Sequence, residues 1–205
     1  MQALGSGNAS TVFRGVSTPD NEPVAIRVFD QTLSTQPGFE AGFRKTVEAW
    51  AAVEHPHVVR VLDHGFASTG EALLITEFVD SGTLHDLIKR AGAVGEAGTI
   101  RCARQLAKAL TAAHLVGTVH GHINPRNVFL GKDKTVLELR LADFGLLQLA
   151  QFEPDHDDSR GMPSSGVISA SDWMVIGDPN FSAPETLLAQ DVSESSDVYC
   201  LTALL

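Results

Sequence analysis

Four short stretches of this chain carry groups able to handle phosphate and protons. Gly5-Ser6-Gly7-Asn8-Ala9-Ser10 is a glycine-rich turn. Glycines let a backbone fold over phosphate groups and offer its N–H groups to them, although the same composition also makes a plain turn. Arg27 closes the run Val24-Ala25-Ile26-Arg27 with a planar, fork-shaped cation. His122 lies in His120-Gly121-His122-Ile123-Asn124-Pro125-Arg126-Asn127. Its unperturbed pKa sits near neutrality, so either proton transfer or a structural role is open to it. Asp143, in Ala142-Asp143-Phe144-Gly145, adds a carboxylate.

The elements that must position these groups follow from hydrophobic period and turn chemistry. Residues 24–29 alternate between Pro23 and Asp30, which predicts a strand. With Thr11-Val12-Phe13 before it, and Pro19-Asp20-Asn21 as the turn, a hairpin is expected. Phe43, Val47, Trp50 and Val53 recur at helical spacing, predicting a helix over 39–54. Residues 58–62 and 73–78 read as further strands. Beyond residue 80 the period turns helical, over 83–90 with Ser81 or Thr83 as cap and over 100–116 ended by Gly117. Residues 128–130 and 138–141 read as short strands. Residues 146–176 are rich in Ser, Asp, Gly and Pro, predicting a long loop. A last apolar helix is expected from Val198 onward.

Composition narrows the function classes. The 205 residues are 43% hydrophobic, which is normal for a globular chain. A formal charge of −10 argues against binding a nucleic-acid backbone or an anionic membrane surface. Cys102 and Cys200 lack metal-ligand spacing and read as free thiols of a reducing, cytoplasmic compartment. The residues given hold neither a signal peptide nor an apolar run of transmembrane length.

Taken in order, these motifs resemble the protein kinase superfamily over nearly the whole chain, nearest to bacterial eukaryotic-like Ser/Thr kinases. The added signatures are Val24-Ala25-Ile26-Arg27 and Ala183-Pro184-Glu185. The resemblance implies an α+β, two-lobed fold truncated at both ends. Residues 1–79 would form a small antiparallel β lobe with one helix. Residues 80–205 would form a partial, mainly helical lobe containing the activation segment, 143–185. It also implies that most of the first strand is missing, and that Glu185 lacks its arginine partner.

The resemblance implies ATP and Mg²⁺ as cofactors. Gly5, Gly7 and Arg27 would meet phosphates. Val12, Ala25 and Phe129 would sandwich adenine, with Thr76 as gatekeeper and the backbone of Glu77 and Val79 bonding the base. Several of these are also ordinary core positions. Asn127 and Asp143 would hold the metal. His120 and Phe144 would stack with Trp50 and Val61 in an internal spine, and Asp197 would receive hydrogen bonds from the catalytic-loop backbone.

The departures lie where the chemistry is done. His122 occupies the position of the catalytic aspartate, Asn124 that of a transition-state lysine, Gly121 that of an arginine and Arg27 that of the phosphate-binding lysine. Counting back from His55-Pro56 places Thr46 where the family has the lysine's glutamate partner, and Glu48 faces elsewhere. Asp178 replaces a threonine; it either latches onto His122 or is an exposed loop carboxylate. The serines at 159, 164, 165, 169 and 171 read as phosphosites or as simple loop residues. The first reading is a pseudokinase that binds Mg-ATP weakly or not at all and acts on other proteins as scaffold or regulator. The alternatives are a weak or unconventional Ser/Thr kinase using His122, and a fragment without function. Membrane attachment is left open.

Overall fold

The computed structural model describes residues 2–7, 9–18, 20–131, 137–149, 179–188 and 191–205. Five strands build the first lobe: β1 (Gln2–Ser6), β2 (Ser10–Val16), β3 (Pro23–Phe29), β4 (Val61–Phe66) and β5 (Ala72–Glu77). They form one antiparallel sheet in the order β1-β2-β3-β5-β4. The first strand is therefore present over five residues, contrary to the expectation that most of it is missing. In the β2–β3 turn, Ser17 N–H donates to the Glu22 carbonyl, and Asn21 takes φ 59°, a left-handed angle that asparagine tolerates. Pro19 lies outside the described residues.

Two helices, not one, accompany the sheet: the single turn α1 (Gln31–Ser34) and α2 (Phe39–Ala51). Phe39, Phe43, Val47 and Trp50 are the buried stripe of α2, as helical spacing predicts. Phe29, Phe39, Phe43 and Phe66 pack there, mostly edge to face. The strand expected at 58–62 is divided. Val61 onward joins β5, but Val58 bridges to Leu141 and Val59 N–H donates to the Leu141 carbonyl. This crossing ties the two lobes.

The second lobe holds α3 (Leu84–Ala91), α4 (Gly95–Leu115), the β6 (Val128–Leu130)/β7 (Leu139–Leu141) hairpin, the short α5 (Leu146–Leu149) and α6 (Pro184–Leu187), and α7 (Glu194–Leu204). Thr83, not Ser81, caps α3, in a capping box with Asp86. α4 starts five residues before the predicted point and ends before Gly117, at φ 74°. α7 starts earlier than Val198 because Ser193 and Ser196 form a second capping box. The core of this lobe is Cys102, Leu106, Leu110, Leu139 and Leu141. Burial pushes both cysteine thiols up in pKa, which keeps them protonated. Among the described residues, no helix is long and apolar enough to cross a membrane. Residues 151–178, with Asp178 and the five loop serines, lie outside the described residues.

Candidate functional site

A cleft of about 240 Å³ opens between the lobes. Its roof is the sheet: Val12 on β2 and Ala25 on β3 are brought together because β2 pairs with β3. Phe129 on β6 lies on the other side, and Thr76, Glu77 and Val79 line its back edge. Gly5, Arg27 and Asp143 also line it. A smaller recess joins Arg27 and Asp143 to Ser10, His122 and Asn127. Nine of the expected residues thus meet in one cleft and two more, His122 and Asn127, in its neighbour. Gly7 lines neither; its N–H closes the turn onto the Ser10 carbonyl at 2.9 Å. Leu4, Leu74 and Phe78 also line the main cleft, as does Trp50, which was expected only in the spine.

The charged end of the cleft is internally paired. Arg27 Nη2 donates to Asp143 Oδ2 at 2.5 Å, and Arg27 Nη1 reaches Ser10 Oγ at 3.3 Å. Arg27 is held in register, opposite Val12 on one side and Leu74 on the other. The backbone on either side of Asp143 is held, since Ala142 N–H donates to the Asn127 carbonyl and Gly145 N–H, two residues on, to the His120 carbonyl. Asp143 itself takes φ 69°, an uncommon angle for a residue with a side chain. Gly145 follows at φ 67°, and a Cβ there would meet Thr46 Cγ2 at 2.9 Å. The α2 face that meets this turn therefore carries Thr46, which brings no carboxylate. At the back edge, Glu77 is paired with Arg140 through both oxygens, at 2.8 and 2.9 Å. This pair spans 63 positions and no local pattern signals it.

The loop 120–127 is organised by a buried carboxylate. Asp197, fully buried on α7, accepts from His120 N–H at 2.9 Å, Gly121 N–H at 2.7 Å and His114 Nε2 at 2.9 Å. Gly121 takes φ 75°, a conformation natural to glycine. The His120 ring is fixed at both nitrogens. Nδ1 accepts from His122 N–H at 3.1 Å, so Nε2 carries the hydrogen and donates to the Ala142 carbonyl at 2.8 Å. Phe144 lies 4.6 Å from this ring, centroid to centroid, and Trp50 6.1 Å from Phe144. Val61 packs against the same core.

Asn124 is 3% exposed. Its Oδ1 accepts from Arg126 N–H at 2.8 Å and its Nδ2 donates to the His122 carbonyl at 3.2 Å. Asn127 Nδ2 donates to the same carbonyl at 3.0 Å. The amide of Asn124 is spent on holding the loop. Glu185, expected to lack a partner, accepts from Ser196 Oγ at 2.5 Å, and this bond lowers its pKa.

Burial drives the pKa of His120 down, against the opposing pull of Asp197 and the Ala142 carbonyl. The folded chain thus holds a neutral imidazole that the unfolded chain protonates near pH 6.5. Below that pH the unfolded state binds more protons, so acidification must remove stability. Thermal melts are expected to fall in midpoint from pH 7.5 to 5.5, and to fall less steeply in His120→Phe. Equal slopes would contradict a neutral buried His120.

A family model described as protein kinase domain matches residues 1–205. The serine/threonine-protein kinase pkn2 of Myxococcus xanthus is 33% identical over 204 residues, spanning all of this chain and 23% of that protein. Serine/threonine-protein kinase PknB of Mycolicibacterium smegmatis is 28% identical, spanning all of this chain and 31% of that protein. The chain thus spans about a quarter to a third of these relatives. Among solved structures, the Mycobacterium tuberculosis PknI kinase domain matches with a TM-score of 0.69 at 24% identity, covering 98% of this chain and 70% of that one. Rad53 residues 1–466 in complex with AMP-PNP match at 0.72 and 22% identity, covering 99% and 45%. At these identities the structural matches bear on the fold alone.

Proposed function

This chain belongs to the protein kinase domain family, and from that premise we propose that it is a pseudokinase. In this reading it binds an adenine nucleotide, has lost phosphoryl transfer, and works through contacts with other proteins. The observation that carries the proposal is the state of the loop 120–127. Transfer in this family rests on positioning and on charge placed at the moving phosphoryl group. Here the position that would supply a cation holds Asn124, neutral, buried and bonded within its own loop. The position of the base holds His122, whose carbonyl anchors two amides of the same loop. The segment is built to hold itself rather than to act on a hydroxyl.

The cleft supports the nucleotide half. Val12 and Ala25 opposite Phe129 make an apolar slot suited to a flat base, and Arg27 stands at the phosphate end. ATP would be held by these residues, with the backbone of Glu77 and Val79 at its base edge. When bound it would supply a transferable phosphoryl group, which this chain's loop is not equipped to move.

Two assays on one preparation test the proposal. ATP at about a hundredfold excess over Kd should stabilise the protein by about 2.7 kcal/mol. At ~2–4 °C per kcal/mol for a domain of this size, the melting midpoint should rise roughly 5–10 °C. Phosphate incorporation from γ-labelled ATP into generic protein substrates and into the chain itself should not exceed that of Asp143→Ala. Incorporation well above that variant would overturn the pseudokinase reading and favour a weak kinase.

A further inference from the structure

Resting on that nucleotide-binding reading, we propose that Arg27 takes over the work of a divalent cation, so that the site binds nucleotide polyphosphate in metal-free form. The residues present fit Mg²⁺ poorly. A metal here would need the Asp143 carboxylate, and that carboxylate is already neutralised by Arg27 Nη2 at 2.5 Å. Both partners are about three-quarters buried, which shields the pair from screening by solvent. A divalent ion entering beside Asp143 would face a fixed guanidinium a few ångströms away. That repulsion is strong in a partly desolvated cleft.

The guanidinium can also do what a metal does between a carboxylate and phosphates. It carries five N–H donors in a rigid plane, and its described bonds use two nitrogens, toward Asp143 and Ser10. The remaining donors suit phosphate oxygens, which arginine binds in forked pairs. One side chain can thus bridge Asp143 and a phosphate. A lysine, with its donors on a single atom, does this less well. Among the described residues Arg27 has no ion pair with α2, whose face toward Gly145 carries Thr46. Among the described residues lining the cleft and its recess, Arg27 is the only Arg or Lys. The back-edge anion Glu77 is already matched by Arg140. Counter-charge for a polyphosphate therefore rests on Arg27.

Calorimetric titration of ATP and ADP, in EDTA and in millimolar Mg²⁺, tests this on the wild type and two variants. The wild-type Kd in EDTA is expected to equal that in Mg²⁺ within about threefold, or to be tighter. Arg27→Lys should weaken binding in EDTA at least tenfold. Asp143→Asn, which keeps the shape of the side chain, should leave the ratio of the Kd in EDTA to that in Mg²⁺ within about threefold of the wild-type ratio. Binding that weakens tenfold or more in EDTA would overturn the metal-free proposal and leave the nucleotide-binding reading standing. So would a ratio in Asp143→Asn that departs tenfold or more from the wild-type value. Absence of binding in both buffers would overturn the nucleotide-binding reading, and this proposal with it.

Discussion

Asp197→Ala should be the most destabilising single substitution in the loop framework, costing about 3–5 kcal/mol, the range for removing one partner from a buried charged pair. The Asp197 carboxylate is fully buried and accepts from the His120 and Gly121 amides and from His114 Nε2. Truncation leaves these donors facing a small cavity, and an unsatisfied buried donor costs the full desolvation of the group. The expected result is a melting midpoint lower by roughly 6–20 °C, at ~2–4 °C per kcal/mol. Asp197→Asn should recover only part of this, because an amide presents one oxygen and turns an NH₂ group toward an N–H donor. Urea unfolding with a common slope across the three proteins would measure it. A loss below about 1 kcal/mol for Asp197→Ala would mean that the loop is held chiefly by other contacts.

The same residue shows what a sequence can and cannot disclose here. Asp197 was legible as a backbone anchor because a family resemblance carries that role, and its carboxylate does receive the His120 and Gly121 amides. The partner His114 was not legible, since it lies 83 positions away on another helix. β3 and the buried stripe of α2 were legible from period, because side-chain alternation and the helical turn are local properties. The fate of Val58 was not. Its apolar run reads as one strand, yet two residues of it pair across the lobes with β7. α1 is a single turn, too short to show a period. At the site, residue types were legible and pairings were not. Arg27 could be read as an altered phosphate ligand, but its contact with Asp143 spans 116 positions. Asn124 could be read as a missing lysine, but not as a buried brace for its own loop.

On the pseudokinase reading proposed above, building phosphoryl transfer into this chain should require several changes at once. His122→Asp alone is expected to raise phosphate transfer less than about tenfold over the wild type, although a positioned base is typically worth ~10²–10⁴. Groups that act as a unit give far less singly than together. With Asn124 neutral and buried, an aspartate at 122 would orient a hydroxyl toward a phosphoryl group that lacks the cation the family places at position 124. With Arg27 on Asp143, the carboxylate of Asp143 stays committed as well. Joining His122→Asp to Asn124→Lys, Arg27→Lys and Thr46→Glu addresses all of these. The longer lysine at 124 can carry its ammonium out toward the recess. A glutamate on the α2 face against Gly145 gives the new lysine at 27 a second carboxylate and loosens its hold on Asp143. The combined variant, assayed with γ-labelled ATP and Mg²⁺, should gain at least two decades over His122→Asp, since one such electrostatic contact is worth ~10²–10³. A hundredfold gain from His122→Asp alone would show that only the base was missing. A folded, ATP-binding combined variant with no gain would show that these four positions do not suffice to build phosphoryl transfer into the site.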